Sequence, residues 1–397
     1  MKKIKNSTGR LTWKNSHMPY MAYTVSDFIL VEDICLDTMQ LAVNDALIAI
    51  PRMAYSCVLD RDELYCVENL LPLEVQRTQT PLLPDGENVN GHMFSFSIWE
   101  NKLTIICHHS LTDGIGAKFF INYILRRYEE LMAGNAPAVT GPLYDVDLMN
   151  EELDITKLDY PKDFQPDPPA PSCMVYRQPA HDNCYTTDSF CISEDAFMQY
   201  VKFKKTSPAI ALCALMTKQF LDSTQESDAV ANCNIISNIR SLVGIEKTLT
   251  NCVNSTLLSV TRADTEKENF MESLRECFKR RSSSDYVFYT LHAAANKELK
   301  NRMSSGSLFT VSYTGKVEKS DRSLVKQSNI YRFVNYFNII DMKSVEGRFN
   351  ISVSGDNRSN PITDMLKNAF REIGLEIFEE TKTILTPENG MVTIEKM

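Results

Sequence analysis

Apolar and polar residues follow two different periods along the first part of the chain, and each period predicts a type of element. Residues 36–50 carry apolar side chains at the spacing of one helix face. Around residues 94–98 apolar and polar residues alternate instead, which predicts a strand. Leu103 to His109 returns as a second strand, and a helical apolar face runs from 115 to 132. This order predicts mixed α/β structure.

The chain changes character after this helix. Prolines interrupt any regular pattern over residues 151–185, which predicts a crossover rather than a packed element. Periodic segments then resume, with Ser207 followed by a proline as the start of a buried helix and residues 362–380 as one final helix. We therefore predict two α/β halves, residues 1–150 and 186–397, joined by the crossover.

Composition narrows the classes of function. Among 397 residues, 43% are hydrophobic and 23% are charged, as in an ordinary globular protein. The net charge of −9 argues against a nucleic-acid surface, which needs clustered lysine and arginine. No segment has the roughly 18 apolar residues that a membrane span requires, and no apolar signal core follows the N-terminal lysines. The chain is expected to be cytoplasmic.

Several common types of site are missing from the sequence. The eleven cysteines include no CxxC pair, so we expect reduced thiols and neither a disulfide framework nor a zinc site. The sequence also lacks a GxSxG nucleophile motif and the glycine patterns of phosphate-binding and dinucleotide-binding loops. No metal or tightly bound cofactor is therefore predicted.

The candidate chemistry lies in the segment His108-His109-Ser110-Leu111-Thr112-Asp113-Gly114, between a predicted strand and a predicted helix. A histidine there can act as a base near neutral pH, because its ordinary pKa is about 6.5. Strand alternation places His109 on the side of Cys107 and sends His108 to the opposite side. His109 is therefore the candidate base. Packing at a strand end and a metal site are the alternatives, although adjacent strand residues diverge and do not share a metal easily.

This segment is the motif HHxxxDG. The chain thereby resembles the acyltransferase superfamily of chloramphenicol acetyltransferase, alcohol acetyltransferases and peptide-synthetase condensation domains. The order of elements over residues 25–132 resembles the N-terminal half of these proteins. The DFGWG element of plant members is absent, and no carrier-protein motif is present, so the chain most resembles free-standing members of the alcohol-acetyltransferase kind.

The resemblance implies two chloramphenicol-acetyltransferase-like halves, each a mixed sheet with flanking helices, and a tunnel between them. His109 would be the general base at its centre. His108, Asp113 and Gly114 would have structural roles, with Asp113 in an ion pair for which Arg240 is the candidate partner. The residues expected near the tunnel, or in contact with substrate, are Asn238, Asn254, Ser312 and Tyr313.

The function implied is transfer of an acyl group from a thioester to a small hydroxyl or amine acceptor in a ternary complex. Acyl-coenzyme A or an acyl carrier protein would be the co-substrate. Two alternatives stay open, namely a carrier-dependent enzyme that forms amides and a condensation-like binding module without catalysis.

Overall fold

The computed structural model describes residues 3–6, 9, 23–61, 63–167, 184–295, 307–316, 324–333, 338–355 and 361–397. The strands are β1 Lys3–Lys5, β2 Tyr23–Leu30, β3 Tyr55–Asp60, β4 Glu63–Glu68, β5 Val75–Arg77, β6 Phe94–Trp99, β7 Lys102–His108, β8 Tyr185–Ser193, β9 Val230–Asn238, β10 Val253–Thr261, β11 Phe309–Lys316, β12 Val325–Arg332, β13 Asn338–Val345, β14 Arg348–Gly355, β15 Phe378–Glu388 and β16 Met391–Lys396.

The α-helices of the described residues are α1 Leu36–Ala49, α2 Gly114–Met132, α3 Val146–Met149, α4 Glu194–Phe203, α5 Pro208–Ser223, α6 Arg240–Val243, α7 Arg262–Thr265, α8 Phe270–Arg281, α9 Ser284–Ala295 and α10 Pro361–Glu372. Short 3₁₀ turns occur at Pro51–Ala54, Glu87–Val89 and Ile155–Lys157. Ser207 caps α5 as the sequence predicts, because its side chain accepts a hydrogen bond from the backbone of Ile210.

A five-stranded sheet carries the histidine motif at the end of a central strand. Its order is β12-β2-β7-β6-β5, antiparallel except for the parallel pair of β5 and β6. One face of β7 buries Leu103, Ile105 and Cys107 in a core with α1 and α2, and Ile106 points to the other face. The alternation predicted for this strand is therefore confirmed.

The C-terminal part of the chain forms an eight-stranded sheet with the order β10-β9-β11-β13-β14-β8-β15-β16. β11 runs parallel to both of its neighbours, and the other pairs are antiparallel. Helices α4, α5, α8 and α10 pack on one face of this sheet around a large apolar core. A separate three-stranded sheet of β1, β4 and β3 lies beside the N-terminal core.

The two large sheets are joined in two ways. β12 is late in sequence but pairs with β2, with Val325 opposite Leu30 and Arg332 opposite Thr24. A second apolar cluster includes Val25, Ile106 and Tyr331 from the five-stranded sheet together with residues of β8, β15 and β16. The two halves are therefore held together by backbone pairing and by a shared core.

The single helix predicted over residues 362–380 is wrong in its second part. The helix ends at Glu372, and Gly374 adopts a left-handed conformation with φ of 79° that glycine tolerates without strain. The chain then forms the hairpin of β15 and β16. Within the described residues, no helix combines the length and the apolar character needed to cross a membrane.

Candidate active site

His109 lies immediately after β7, where the two halves meet. Its imidazole is half-buried, and Nδ1 lies 3.3 Å from the side-chain amide nitrogen of Asn251, in the segment before β10. The other ring nitrogen, Nε2, makes no side-chain or backbone hydrogen bond within the described structure. One nitrogen is thus held by the C-terminal half, and the other is available to a ligand.

The surroundings of His109 favour its neutral form. Burial lowers the pKa of His109, and the nearby Arg332 guanidinium lowers it further. The Asp113 carboxylate and a hydrogen bond to the backbone of His109 itself act in the opposite direction. Since the net pKa is below the ordinary value of about 6.5, the imidazole is mainly unprotonated at pH 7 and can accept a proton.

His108 is in a different environment, as the alternation along β7 predicts. It is 2% exposed, and its ring meets the Tyr23 ring edge-on at 5.1 Å. Its Nδ1 accepts a hydrogen bond from the Ser110 backbone at 3.2 Å. Burial, with a smaller contribution from His109, lowers the pKa of His108 to about 3. His108 therefore stays neutral and holds the turn that presents His109.

Asp113 is fully buried and uses both carboxylate oxygens to connect α2 with the C-terminal half. Oδ1 accepts from the backbone N–H groups of Ile115 and Gly116, each at 3.0 Å, and so caps α2. Oδ2 accepts from the Cys252 backbone at 2.9 Å and from Arg240 Nη1 at 2.8 Å. The pairing of Asp113 with Arg240 that the family resemblance implies is present in the structure.

Arg240 is also buried and uses its remaining donors on the segment that carries Asn251. Nε donates to the Thr248 carbonyl at 2.9 Å, and Nη2 donates to the Thr250 carbonyl at 2.7 Å. Nη1 also donates to Asn238 Oδ1 at 3.1 Å. Asn238 therefore orients Arg240, and Arg240 fixes the position of Asn251 beside His109.

The glycine of the motif and a second glycine differ in how tightly they are packed. A Cβ on Gly114 would meet only Thr314 Cγ2 at 3.7 Å, which is ordinary contact. A Cβ on Gly116 would lie 2.1 Å from Thr112 Oγ1 and 2.8 Å from the Leu249 carbonyl oxygen. Gly116 is therefore the position at which α2 approaches the C-terminal half too closely for a side chain.

Gly116→Ala is expected to destabilise the fold by about 1–3 kcal/mol, the usual cost of overpacking, despite the helix propensity of alanine. The reason is that Thr112 Oγ1 donates to the Leu249 carbonyl at 2.7 Å, and a methyl group would separate these atoms. Gly114→Ala is the matched control and should unfold at nearly the wild-type denaturant concentration. Equal midpoints for the two variants in urea titrations would contradict this assignment.

Three further candidates lie on strands of the C-terminal half. Asn254 is buried on β10 and donates to Thr256 Oγ1 at 3.3 Å. Ser312 and Tyr313 lie on β11, where Tyr313 is 39% exposed with its ring 6.2 Å from the Phe349 ring. None of the three hydrogen-bonds His109 within the described structure.

The sequence analysis missed the residues whose side chains hydrogen-bond the backbone of the histidine motif. Arg52 is fully buried and donates to the Leu111 carbonyl at 3.1 Å, and Asn6 donates to the Ser110 carbonyl at 2.7 Å. Glu152 pairs with Arg52 at 3.3 Å, although burial raises the pKa of Glu152 to about 8. The only sequence signal was the proline before Arg52, which starts the 3₁₀ turn that aims this side chain at the motif.

In the part of the chain that is described, no group of three or more His, Cys, Asp or Glu side chains is placed to hold a metal ion.

Comparison with known proteins identifies the fold. No family model matches the sequence, and no curated protein matches it. Among solved structures, the first condensation domain of the calcium-dependent antibiotic synthetase is similar, with a TM-score of 0.67, 12% identity and coverage of 95% of this chain and 99% of that chain. TRI3 trichothecene 15-O-acetyltransferase from Fusarium sporotrichioides has a TM-score of 0.62 and 11% identity, covering 94% of each chain.

A third similar structure is F. sporotrichioides TRI101 in complex with coenzyme A and T-2, with a TM-score of 0.62, 14% identity and coverage of 92% of this chain and 97% of that chain. The chain therefore has the two-lobed α/β fold that condensation domains share with coenzyme A-dependent acetyltransferases. The fold expected from the HHxxxDG resemblance is confirmed.

Proposed function

We propose that the protein is an acyltransferase that moves an acyl group from a thioester to a hydroxyl or amine of a small acceptor, with His109 as general base. The observation that carries this proposal is the state of His109, which is half-buried, neutral at pH 7 and held between the two halves by Asn251. A positioned base of this kind typically contributes about 10²–10⁴-fold to the rate of such a step.

The transfer needs His109 first to take a proton from the acceptor and then to give a proton to the leaving thiolate. The acceptor O–H or N–H donates its proton to Nε2 while its heteroatom attacks the thioester carbonyl. The C–S bond then breaks, and the protonated imidazole returns the proton to the leaving thiolate. For this role the neutral ring carries its hydrogen on Nδ1, and the Asn251 amide is turned so that its oxygen takes the place of the nitrogen that lies 3.3 Å from Nδ1.

The comparisons support coenzyme A as a carrier of the acyl group. TRI101 is complexed with coenzyme A and T-2, and TRI3 is named an acetyltransferase. The test is acceptor-dependent thiol release from a panel of acyl-coenzyme A donors, assayed with mixed alcohols and amines. Release that requires an acceptor and disappears on His109→Ala would support the proposal.

A carrier-bound donor is the second candidate, because similarity to a condensation domain extends over 95% of the chain. Transfer from a pantetheine-loaded carrier protein, with free coenzyme A thioesters inert, would favour this candidate. If both types of donor stay inert with every acceptor, the proposal of acyl transfer is wrong, and a binding role is favoured instead.

The acid limb of the pH–rate profile should have its midpoint below about 6.5, the ordinary histidine pKa. The direction of this shift follows from the lowered pKa of His109, because the active neutral form of the imidazole persists to lower pH than in a free histidine. The measurement is kcat/KM against pH with an alcohol acceptor that does not titrate in this range. A midpoint above the ordinary value would show that the responsible base lies elsewhere or is stabilised in its charged form.

A further inference from the structure

A cavity of about 60 Å³ lies on the same face of the five-stranded sheet as His109. β2 and β12 form its floor, α2 covers it, and β11 and β13 close one side. Its lining residues are Thr24, Ser26, Phe28, Gly114, Ala117, Lys118, Ile121, Asn122, Thr314, Ile330, Arg332 and Lys343. We call it the lysine cavity. Two lining residues connect the lysine cavity to the histidine motif. Gly114 follows Asp113 directly in sequence, and the positive charge of Arg332 lowers the pKa of His109.

Lys343 is a buried cation in this cavity without an acidic partner. It is 9% exposed, donates to Ser328 Oγ at 2.9 Å, and has Nζ 4.7 Å from the centre of the Phe28 ring. Among the described residues, no carboxylate lies within ion-pair distance of its Nζ. A hydroxyl and an aromatic ring offset only part of the cost of burying an ammonium group.

The neighbouring charges do not supply the missing anion. Lys118 reaches the cavity from α2 and donates to the Thr314 carbonyl at 3.1 Å, so it adds a second positive charge. Asp341 lies on the same strand as Lys343, but its two oxygens accept from Arg332 at 2.7 and 2.8 Å. Of the described residues, three cationic side chains therefore line the cavity, and the neighbouring Asp341 carboxylate is already paired with Arg332.

Two further observations support a ligand at this place. Thr314 Oγ1 is buried at the wall of the cavity and has no hydrogen-bond partner within the described residues. Burial, and then the charge of Lys118, lower the pKa of Lys343 to about 7. Within the part of the chain that the structure describes, the Thr314 hydroxyl thus lacks a hydrogen-bond partner and the Lys343 ammonium group lacks an ion-pair partner, although both are buried.

We propose that the lysine cavity binds a carboxylate group of the small substrate of acyl transfer, with Lys343 and Lys118 as its cationic ligands and Thr314 as an additional hydroxyl donor. That the bound carboxylate belongs to a substrate rests on the proposed acyl transfer. The presence of an anion site does not depend on that proposal. The site would act in specificity, since a neutral analogue leaves Lys343 buried without compensation.

The geometry favours a carboxylate on a short apolar stem over a phosphate. The guanidinium of Arg332, which suits phosphate best, is already engaged by Asp341. The remaining walls include the apolar side chains of Phe28, Ile121 and Ile330. A strongly hydrated dianion would lose much of its hydration against these walls, and a monoanion with an alkyl stem would bury the stem there.

The direct test is calorimetric titration of the full chain with butyrate, neutral butyramide and inorganic phosphate. Butyrate should bind, and both other probes should bind at least tenfold more weakly. Lys343→Met should weaken butyrate binding at least tenfold, and Lys118→Met should weaken it in the same direction while leaving the buried core intact. Lys326→Met is the matched control, because Lys326 is exposed on β12, and its variant should bind butyrate as the wild type does.

These titrations need no turnover, so they separate the two proposals. Absence of butyrate binding to the wild type, or equal binding to Lys343→Met, would overturn the carboxylate site whatever the transfer assays show. Tighter binding of phosphate than of butyrate would also overturn it. In transfer assays, Lys343→Met should raise KM at least tenfold for a carboxylate-bearing substrate and leave KM unchanged for its amide. Butyrate binding without transfer from any donor would overturn acyl transfer and leave the anion site standing.

Discussion

His109→Ala is expected to lower kcat for acyl transfer by about 10²–10⁴-fold, the usual contribution of a positioned general base. The substitution removes the one half-buried imidazole that Asn251 holds between the halves. KM should change much less than kcat, because the ring acts on the proton that moves during the reaction. The measurement is steady-state thiol release with saturating donor and acceptor.

The control is His292→Ala. His292 lies on α9 and bonds the Leu158 carbonyl at 2.6 Å, outside the histidine motif. Its removal should leave kcat within a few fold of the wild type. Circular dichroism and thermal melting of His109→Ala should resemble the wild type, because the ring is only half-buried and lies after the end of β7. A His109→Ala enzyme that retains most of its kcat would eliminate His109 as the base.

Arg240→Met is expected to destabilise the fold by about 3–5 kcal/mol, the typical cost of removing one partner of a buried ion pair. Methionine leaves the Asp113 carboxylate buried beside three backbone donors but without its cation. It also removes the donors to the carbonyls of Thr248 and Thr250. Urea unfolding gives the free energy directly, provided that the transition is two-state.

An exposed arginine provides the comparison. Arg348 pairs with Glu379 on the surface, where both side chains are almost half exposed. Arg348→Met should cost no more than about 1 kcal/mol, as is usual for exposed pairs. Similar unfolding free energies for the two variants would show that burial does not control the strength of the Asp113–Arg240 pair.

Local signals were sufficient for the strand before the motif and for the helix after it. The alternation along β7 separates His109 from His108 correctly, because a strand has a strict two-residue period. The pairing of Asp113 with Arg240 came from the resemblance to a known family rather than from any local pattern. The two residues are 127 positions apart, and nothing in either segment alone would join them.

Contacts between residues that are far apart in sequence could not be predicted from the sequence alone. Asn254 was one of four residues expected near the tunnel or the substrate. Asn251, three positions earlier, is the residue whose side chain lies beside His109, and the Asn254 side chain donates to Thr256. β12 was missed in the sequence. This strand belongs to the C-terminal half but lies at the edge of the five-stranded sheet of the N-terminal half, and its residues show no clear alternation. The lysine cavity depends on residues from five separate strands and helices, so no local pattern could indicate it.

The pairing of β12 with β2 also has a consequence for biosynthesis. Arg332 and Thr24, which face each other across this pair, are 308 positions apart in sequence. At ribosomal rates of about 5–20 residues per second, β2 is made roughly 15–60 s before the strand that covers its edge. During that interval the nascent chain presents a row of unsatisfied amides and carbonyls, the template on which neighbouring polypeptides aggregate. Slower translation of the C-terminal half would lengthen this exposure, and a chaperone that shields the nascent edge would raise the yield of folded protein.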